Sequence, residues 1–284
     1  MHIESFPKVL SKRRLNRQNQ ALPGFIMKEQ RYTLKFANTE EELDEVLRLR
    51  FNVFNLELGE GLSSSFQTFR DEDAFDKYFN HLIIIDNETG RIIGTYRMQT
   101  FEMALRGNGF YSHDEFKLDM LPRNIIRHSV ELGRACIDKE FRNSRVLFLL
   151  WRGLANYIVL TRKRYLFGCG SLTSQDSLEG WILYNDLLKN GHVRTDLKLM
   201  AQPAYSLDKF NNLTEVSNPP TYPPLLRMYL RYGAKVVGDP AIDRDFKTID
   251  YFILLDRENI PKESFGMILG NGVEYHPQRF KIIR

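Results

Sequence analysis

The chain has few cysteines: only Cys136 and Cys169 occur among its 284 residues. Two thiols cannot supply the disulfide framework of a small secreted domain, and no secretory signal pattern opens the sequence. The sequence also lacks an apolar run of the ~20 residues that a membrane-spanning helix needs. Its most apolar stretch, residues 146–160, is shorter and is interrupted by Arg152 and Asn156. These absences predict a protein of a reducing, cytoplasmic compartment without a membrane span.

Two further absences concern the motifs that bind dinucleotide cofactors and metal ions. Residues 168–170 and 270–272 each hold a Gly-x-Gly pair, but neither has the third glycine of a dinucleotide-binding fingerprint. No histidine, cysteine or acidic cluster has the sequence spacing of a metal site. We therefore expect no metal and no bound cofactor.

Basic charge is concentrated at the N-terminal end. Residues 1–30 hold six lysines and arginines against two glutamates, which accounts for the formal net charge of +4, because residues 31–284 balance. Such an arm suits an anionic partner such as a membrane surface, and it is equally typical of a solvated tail. The neutral body has no basic and aromatic strip of the kind that binds nucleic acid. A non-catalytic membrane-surface binding protein is one alternative, whereas no nucleic-acid partner is expected.

Helix and strand patterns mix along the body without a repeat or an obvious linker. Thr39 and Glu42 form a capping box before a helix whose apolar face includes Arg50. The remaining patterns predict strands at 31–37, 81–86, 91–100, 129–138, 165–171 and 248–256, and helices from about 144, at 176–189 and at 223–233. The sequence therefore predicts an α/β domain over residues 31–256, with a basic extension over 1–30 and a tail over 257–284.

Several charged residues interrupt these apolar patterns one after another. Glu131 and Arg134 are three residues apart on a predicted strand, so they would point to opposite faces unless a bulge at Gly133 brings them together. Taken singly, each charged site suits an ordinary ion pair. Their succession favours one polar cleft. The residues concerned are Arg50, Asp73, Asp76, Arg97, Glu131 and Arg134.

These charged positions, together with Phe54, resemble the motif set of the acyl-homoserine-lactone synthases, which have an acetyltransferase-like (GNAT-like) fold and use acyl carrier protein. A closer resemblance covers most of residues 43–256 and is to the ornithine-lipid type N-acyltransferases and their relatives that acylate glycine, lysine or other amino acids. It rests on residues 131–138, 150–153 and 166–171, and on the run from Pro223 to Asp243, which the lactone synthases lack.

The resemblance implies a GNAT-like (acyl-CoA N-acyltransferase) fold, in which helices flank a central mixed, twisted sheet with a bulged strand. It implies an N-acyltransferase that moves a 3-hydroxy fatty acyl group from acyl carrier protein to the amine of ornithine, or of glycine or lysine, in the first step of aminolipid biosynthesis. A synthase of another N-acyl amino acid or of an acyl-homoserine lactone is the alternative within this fold. A lipid-like product leads us to expect peripheral contact with the inner face of the cytoplasmic membrane.

The same resemblance assigns roles to the site residues. Glu131 is expected to be the base that deprotonates the amine, and Arg134 to orient it. Arg50 and Arg97 are expected to meet the carboxylate of the acceptor, with Phe54 beside them. Asp73 and Asp76 are expected to hold its ammonium group or, in ornithine, the ammonium group of the side chain. The donor is expected to contact Gly133, Arg142, Ser144, Arg145 and Arg152.

Three features of the sequence leave alternatives open. The turn at 141–145 has no glycine, which favours the single phosphate of a phosphopantetheine arm over the pyrophosphate of coenzyme A. The polar stripe of Arg145, Arg152 and Lys163 either docks acidic carrier protein or is a solvated helix face. Cys169 offers a covalent route, although a buried structural thiol is the more usual role.

Overall fold

The computed structural model describes residues 25–210, 220–269 and 274–275. Its strands are β1 (Phe25–Lys28), β2 (Tyr32–Phe36), β3 (Asn80–Asp86), β4 (Ile92–Thr100), β5 (Ser129–Ile137), β6 (Tyr165–Leu172), β7 (Val193–Arg194), β8 (Lys235–Val237), β9 (Ala241–Asp243), β10 (Thr248–Asp256) and β11 (Glu274–Tyr275). Its α-helices are α1 (Glu40–Phe51), α2 (Ser65–Thr68), α3 (Phe101–Arg106), α4 (Arg123–Arg127), α5 (Ser144–Leu160), α6 (Ser177–Lys189), α7 (Pro224–Arg231) and α8 (Lys262–Leu269). The predicted central elements are confirmed to within a few residues.

The strands form one mixed sheet in the order β11-β1-β2-β3-β4-β5-β6-β10-β8-β7, and β9 pairs with β10. Neighbours are antiparallel except for the parallel pairs β5–β6 and β7–β8. The sheet extends past both predicted domain boundaries, because β1 pairs with β2 and β11 pairs with β1. Apolar side chains of β1 and α8 on the far sides of residues 31 and 256, such as Phe25, Met27 and Ile268, are buried in the main core. Residues 1–24 of the basic arm lie outside the described residues.

Helices cover both faces of the central strands. Leu82 and Ile84 of β3 pack into the cluster that contains the buried side of α5, whereas Ile83 packs towards α1 on the opposite face. Strands buried on both sides are apolar at successive positions, which explains why residues 82–85 read as a continuous run. No helix in the described part of the chain has the length and apolar character needed to cross a membrane.

A bulge distorts β5 at the centre of the sheet. Thr95 of β4 lies opposite Cys136, but Arg97 lies opposite Gly133, so β5 carries one extra residue between these pairs. The predicted bulge is confirmed, but the residue in the left-handed region is Arg134, with φ of 50°, and not Gly133. A non-glycine residue there is strained, and such strain persists only where the surroundings over-determine the conformation. The ion pairs and ring contacts of Arg134, described below, supply that constraint.

β5 and β6 separate beyond the bulge. Their parallel pairing runs from Ser129 and Tyr165 to Leu132 and Gly168, and both strands then continue without pairing to each other. A Cβ atom on Gly168 would lie 2.4 Å from the carbonyl oxygen of Leu132. Glycine is therefore needed at the last paired position, where the two backbones are closest. The result is a wedge-shaped opening in the sheet, with an unpaired edge of β5 on one side.

Candidate active site

A cavity of about 530 Å³ fills the opening between β5 and β6, and we call it the β5/β6 cavity. Residues 132–137 of the bulged strand form its floor, and Cys169 and Ser171 of β6 face them. Val53 and Phe54 line its apolar part, together with Leu147 and Leu150 of α5. Its size is that of a small-molecule site. The predicted substrate contact of Phe54 is compatible with this position, since its ring lines the cavity and packs against Phe246.

Three arginines and three aspartates form a buried network beside this cavity, the arginine–aspartate network: Arg50, Asp71, Asp73, Asp76, Arg97 and Arg134. Arg50 donates to Asp71 at 2.7 Å and to Asp76 at 2.6 Å. Arg97 donates to Asp73 at 2.7 Å and to Asp76 at 2.9 Å. Although burial opposes it, Arg50 and Arg134 together lower the pKa of Asp71. The network is thus a set of ionised groups whose charges compensate one another.

The network changes the role expected for four of the predicted residues. Arg50, Asp76 and Arg97 are at most 4% exposed, and neither they nor Asp73 line the β5/β6 cavity. Their charged atoms are engaged with one another, so in this arrangement they do not reach an acceptor amino acid. This geometry gives no support to the expectation that they bind its carboxylate and ammonium groups, which stays a prediction. Buried charges need such partners, and here the partners hold Arg134 in place.

Arg134 is the member of the network that lines the cavity. Its guanidinium lies between two rings, with Cζ 4.2 Å from the ring centre of Phe246 and 5.0 Å from that of Tyr111. Its Nε and Nη2 lie 3.3 and 3.5 Å from Asp71 and Asp73. These contacts fix a planar cation at the cavity wall, which is the geometry that recognises a carboxylate.

Glu131 is fully buried and does not line the cavity. Its carboxylate accepts four hydrogen bonds: from Gln99 Nε2 at 2.7 Å, from the backbone N–H groups of Tyr111 at 3.0 Å and Ser112 at 2.7 Å, and from Ser112 Oγ at 2.8 Å. Burial raises the pKa of Glu131, and the hydrogen bonds oppose the rise. The predicted proximity of Glu131 and Arg134 is indirect, because Tyr111 contacts both. The geometry does not support direct contact between Glu131 and a substrate. Ser112 lines the cavity and its hydroxyl donates to Glu131, so Ser112 connects the carboxylate with the cavity.

The far end of the cavity holds four buried carboxylates, Glu60, Glu115, Asp243 and Asp250, which we call the carboxylate cluster. Within the described ranges, none of the four lies within ion-pair distance of a basic side chain. Glu60 accepts a hydrogen bond from Thr173, and Asp243 accepts from the backbone N–H of Phe246 at 2.8 Å. Asp250 Oδ1 has no hydrogen-bond partner among the described residues. The cluster is therefore a group of buried carboxyl groups without basic partners among the described residues.

Burial and mutual repulsion alter the acidity of the cluster. Burial, with Asp243 nearby, raises the pKa of Asp250 to about 6, and burial with Asp250 and Asp243 raises the pKa of Glu115 well above its ordinary value. Cys169 Sγ lies 3.5 Å from Glu115 Oε2, and burial with these carboxylates raises the pKa of the thiol well above its usual range. A protonated thiol is a poor nucleophile. The structure thus favours the non-covalent role for Cys169.

The cluster also has the donor types of a cation site. Single ligand atoms of Glu115, Cys169 and Asp250 lie within 4.8 Å of one another. Sequence spacing does not reveal this grouping, since the three residues come from segments far apart in the chain. A metal ion would require Cys169 as a thiolate, whereas its surroundings favour the protonated form.

The predicted donor contacts divide into two groups. Gly133, Arg142 and Ser144 line the cavity, together with Asn143. The side chain of Asn143 accepts from the backbone N–H groups of Arg145 and Val146, so it already caps the N-terminus of α5. Arg142 pairs with Glu57 at the surface.

Arg145 and Arg152 belong to the other group. Both pair with Glu29 at the end of β1, and neither lines the cavity. Lys163, the third member of the predicted polar stripe, is buried and pairs with Glu102. The stripe is therefore not one continuous docking face, because its side chains join α5 to β1 and α3.

Sequence reasoning missed the residues that complete the site. Asp71, Tyr111, Ser112, Glu60 and Glu115 lie in segments without a regular pattern, so nothing local marks them. Asp250 had a detectable signal, because it stands inside a strand whose nine residues are all buried. A buried carboxylate in such a strand needs a partner or a function.

The chain is similar in sequence to a known domain family and to named enzymes. The acetyltransferase (GNAT) domain family matches residues 49–152. The L-ornithine N(alpha)-acyltransferase of Rhizobium meliloti (strain 1021) is 31% identical over 253 residues, covering 85% of this chain and 83% of the relative. The protein of the same name from Brucella abortus (strain 2308) is 33% identical over 244 residues, covering 80% of this chain and 85% of the relative.

Solved structures of similar shape include FeeM, an N-acyl amino acid synthase from uncultured soil microbes, with a TM-score of 0.47 and 12% identity over 80% of this chain and 93% of that one. Another is the AHL synthase LasI, with a TM-score of 0.43 and 13% identity over 80% of this chain and 90% of that one. The matching domain family and the mixed sheet with flanking helices confirm the expected GNAT fold.

Proposed function

Because the chain belongs to the family of L-ornithine Nα-acyltransferases, we propose that it transfers a fatty acyl group from an acyl thioester to the α-amine of ornithine or a closely related amino acid. The observation that carries the proposal is the content of the β5/β6 cavity. An open strand edge, a fixed arginine and an excess of carboxylates line the same space. The strand edge suits the arm of the acyl donor, the arginine suits the carboxylate of the amino acid, and the carboxylates suit a positively charged group of the amino acid.

The open edge of β5 suits the arm of the donor. Beyond Leu132 this edge has no strand partner in β6, so its backbone groups are available to an extended ligand. A phosphopantetheine arm carries amide groups that can pair with such an edge as an added strand does. The apolar side chains of Val53, Phe54 and Leu150 then adjoin the acyl chain. The backbone around Gly133 and Arg134 is the place where the thioester carbonyl would meet unpaired N–H groups.

We propose acyl carrier protein as the donor. Arg142 and Ser144 lie at the cavity lining and Arg145 is next to them at the start of α5, with 57% of its side chain exposed. These groups suit one phosphate and an acidic protein surface. Initial rates with the same acyl group on carrier protein and on coenzyme A separate the two donors. A higher kcat/KM with coenzyme A would exclude the carrier protein as the preferred donor.

We assign the carboxylate of the acceptor to Arg134. Its guanidinium lines the cavity, and the rings of Tyr111 and Phe246 restrict it to one orientation. A carboxylate bound there brings the neighbouring α-amine close to Ser112, since Tyr111 and Ser112 are adjacent in the chain. This position also faces the β5 bulge, where the thioester would lie.

The reaction then requires one proton transfer and one bond exchange. The α-amine attacks the thioester carbon, so a C–N bond forms and the C–S bond breaks. The proton lost by nitrogen passes to Ser112 Oγ while the Ser112 proton moves to Glu131, 2.8 Å away. The sulfur leaves with the bonding electron pair, and the proton held by Glu131 returns through Ser112 to give the free thiol. The raised pKa of Glu131 makes it a better base than an ordinary carboxylate.

A substrate panel tests the proposed function. The protein is incubated with 3-hydroxyacyl carrier protein and, separately, with ornithine, lysine, glycine, norvaline and homoserine lactone, and products are identified by mass spectrometry. We expect an Nα-acyl amino acid with ornithine and one free carrier thiol per product. Absence of an acylated amine from every reaction would overturn the proposal. Product from glycine alone would leave acyl transfer standing and overturn the acceptor.

We also propose peripheral contact with a membrane near the mouth of the cavity. Leu56, Leu58, Phe66 and Phe69 are between 41% and 61% exposed, and Leu58 lines the cavity. Exposed apolar side chains of this size are typical of an interaction site. Replacement of Phe66 and Phe69 by serine should reduce co-sedimentation with anionic vesicles. Unchanged co-sedimentation would discard this contact.

A further inference from the structure

The carboxylate cluster at the end of the β5/β6 cavity has no assigned role in the acyl transfer itself. Its members are between 1% and 6% exposed, and they come from four different segments of the chain. Asp250 and Ser171 are opposite each other on β10 and β6, and Asp243 and Thr248 are opposite each other on β9 and β10. The sheet thus places two of the carboxylates side by side at the cavity wall.

We infer that the carboxylate cluster binds the side-chain ammonium group of a diamino acid acceptor, with Asp250 as its main contact, and that this selects ornithine-like acceptors over neutral amino acids. The inference rests on the proposed function and deepens it. Arg134 and the cluster line the same cavity, so one amino acid can offer its carboxylate to the first and its side-chain cation to the second.

The unused oxygen of Asp250 is the observation that points to a ligand. Asp250 is 4% exposed and lines the cavity, yet its Oδ1 atom has no hydrogen-bond partner among the described residues. Thr248 Oγ1 donates a hydrogen bond to the other oxygen of Asp250, Oδ2, at 3.2 Å. A buried carboxylate oxygen without a donor costs free energy. An ammonium group in the cavity would supply that donor and a compensating charge.

Electrostatics within the cluster also favours a bound cation. Arg134 is the basic residue of the cavity lining that acts on Glu60 of the cluster. Its positive charge is already paired with Asp71 and Asp73. Burial raises the pKa of Glu115, Asp250 and Glu60, so a cavity without a cation disfavours their ionised forms. A cation would favour these ionised forms. The groups that face Asp250 in this balance are Ser171, Glu60, Glu115, Cys169, Asp243 and Thr248.

The same contact would set which nitrogen reacts. A side-chain nitrogen held among carboxylates remains protonated, and a protonated amine has no lone pair for attack on a thioester. The α-amine lies instead towards Ser112, which hydrogen-bonds to Glu131. The cluster therefore favours acylation at the α-nitrogen. Loss of the cluster would permit acylation at the side-chain nitrogen.

Asp250→Asn tests the inference, with Asp256→Asn as the matched control on the same strand. Asp256 is paired with Arg164 and does not line the cavity. The measurement is kcat/KM for ornithine and for norvaline, which lacks only the side-chain amine. We expect wild type and Asp256→Asn to prefer ornithine. In Asp250→Asn the ratio should fall about 30-fold, which corresponds to ~2 kcal/mol at ~1.4 kcal/mol per factor of ten. Tandem mass spectrometry should then detect side-chain-acylated ornithine.

The outcomes distinguish this inference from the proposed function. If wild type acylates ornithine and norvaline equally well, or if Asp250→Asn keeps the ratio, the cluster does not read the side-chain cation, and acyl transfer still stands. If wild type acylates no amine, the proposed function fails. One divalent ion per chain by elemental analysis, absent from Asp250→Asn, would show that the cluster binds metal and would overturn the inference.

Should Asp250→Asn fail to fold by circular dichroism, Glu115→Gln with the same two acceptors replaces it. The inference requires that the wild-type protein prefers ornithine to norvaline. A wild-type protein without this preference overturns the inference whether or not either variant folds.

Discussion

Replacement of Glu131 by glutamine separates a structural from a chemical role for this carboxylate. Its two oxygens accept four hydrogen bonds, and two of them come from the backbone N–H groups of Tyr111 and Ser112. Each N–H is directed at a different oxygen. A glutamine has one oxygen and one NH2 group, so in either orientation at least one of these buried N–H groups faces another donor. Gln99 Nε2 also donates to the carbonyl oxygen of Gly109 at 3.0 Å, so turning the Gln99 amide towards the new side chain would lose that bond.

The number of hydrogen bonds lost sets the expected change in the free energy of unfolding. One buried backbone donor without an acceptor costs about 1–3 kcal/mol. For a protein of this size, each kcal/mol lowers the melting temperature by about 2–4 °C. Loss of a proton acceptor in the reaction lowers kcat by about 10²–10⁴-fold. Glu131→Gln should therefore fold, melt several degrees lower, and lose nearly all activity.

The assay combines thermal unfolding with kcat for ornithine at saturating acyl donor. Thr95→Val is the matched control, because it removes one buried hydrogen bond of Thr95 Oγ1 to the carbonyl of Leu82 at 2.9 Å without touching the cavity. Thr95→Val should lower the free energy of unfolding by a similar amount and leave kcat unchanged. Ser112→Ala should lose kcat with little loss of stability, since the backbone N–H of Ser112 still serves Glu131. A Glu131→Gln protein that retains kcat within about threefold of wild type would refute the proton path.

Three further predictions concern the cavity. Arg134→Gln should raise KM for ornithine at least tenfold and leave KM for the acyl donor nearly unchanged in steady-state kinetics, whereas equal changes in both would contradict its contact with the acceptor carboxylate. The ratio of kcat/KM for ornithine to that for norvaline should fall as the pH is lowered through about 6, because Asp250 becomes protonated and loses its attraction for a cation; a ratio independent of pH would count against the cluster. Gly168→Ala should destabilise the fold by about 1–3 kcal/mol in chemical denaturation, because its Cβ would lie 2.4 Å from the carbonyl of Leu132; an unchanged midpoint would show that β5 and β6 tolerate wider spacing.

The sequence predicted the central elements because each has a strong local signal. The capping box at Thr39 marks the start of α1, and Thr39 Oγ1 accepts from the backbone N–H of Glu42 at 3.2 Å. The position of Arg50 on the apolar helix face correctly indicated a buried charge with an anionic partner. Its partner Asp71 was not predictable, since it lies in a segment without periodicity. The short strands β1, β7, β8 and β9 were missed because they have few residues and depend on their neighbours.

The site was predicted in part, and the errors have one cause. The bulge next to Gly133 was correctly predicted and Arg134 lies in it, but the pattern of charges alone could not show whether the cavity exposes Arg134 or Glu131. That depends on where β5 and β6 stop pairing, which is a property of two strands far apart in sequence. The same holds for Asp250 and Glu115, which meet only when β10 and the segment after α3 pack against β6.

The most direct test is a crystal structure of the protein with ornithine and an unreactive thioether analogue of the acyl donor. We expect the pantetheine arm along the free edge of β5, the thioether carbonyl beside Gly133 and Arg134, the ornithine carboxylate on Arg134, and its side-chain ammonium group on Asp250. Ligands bound outside the opening between β5 and β6 would contradict the assignment of this cavity as the place where acyl donor and amino acid meet.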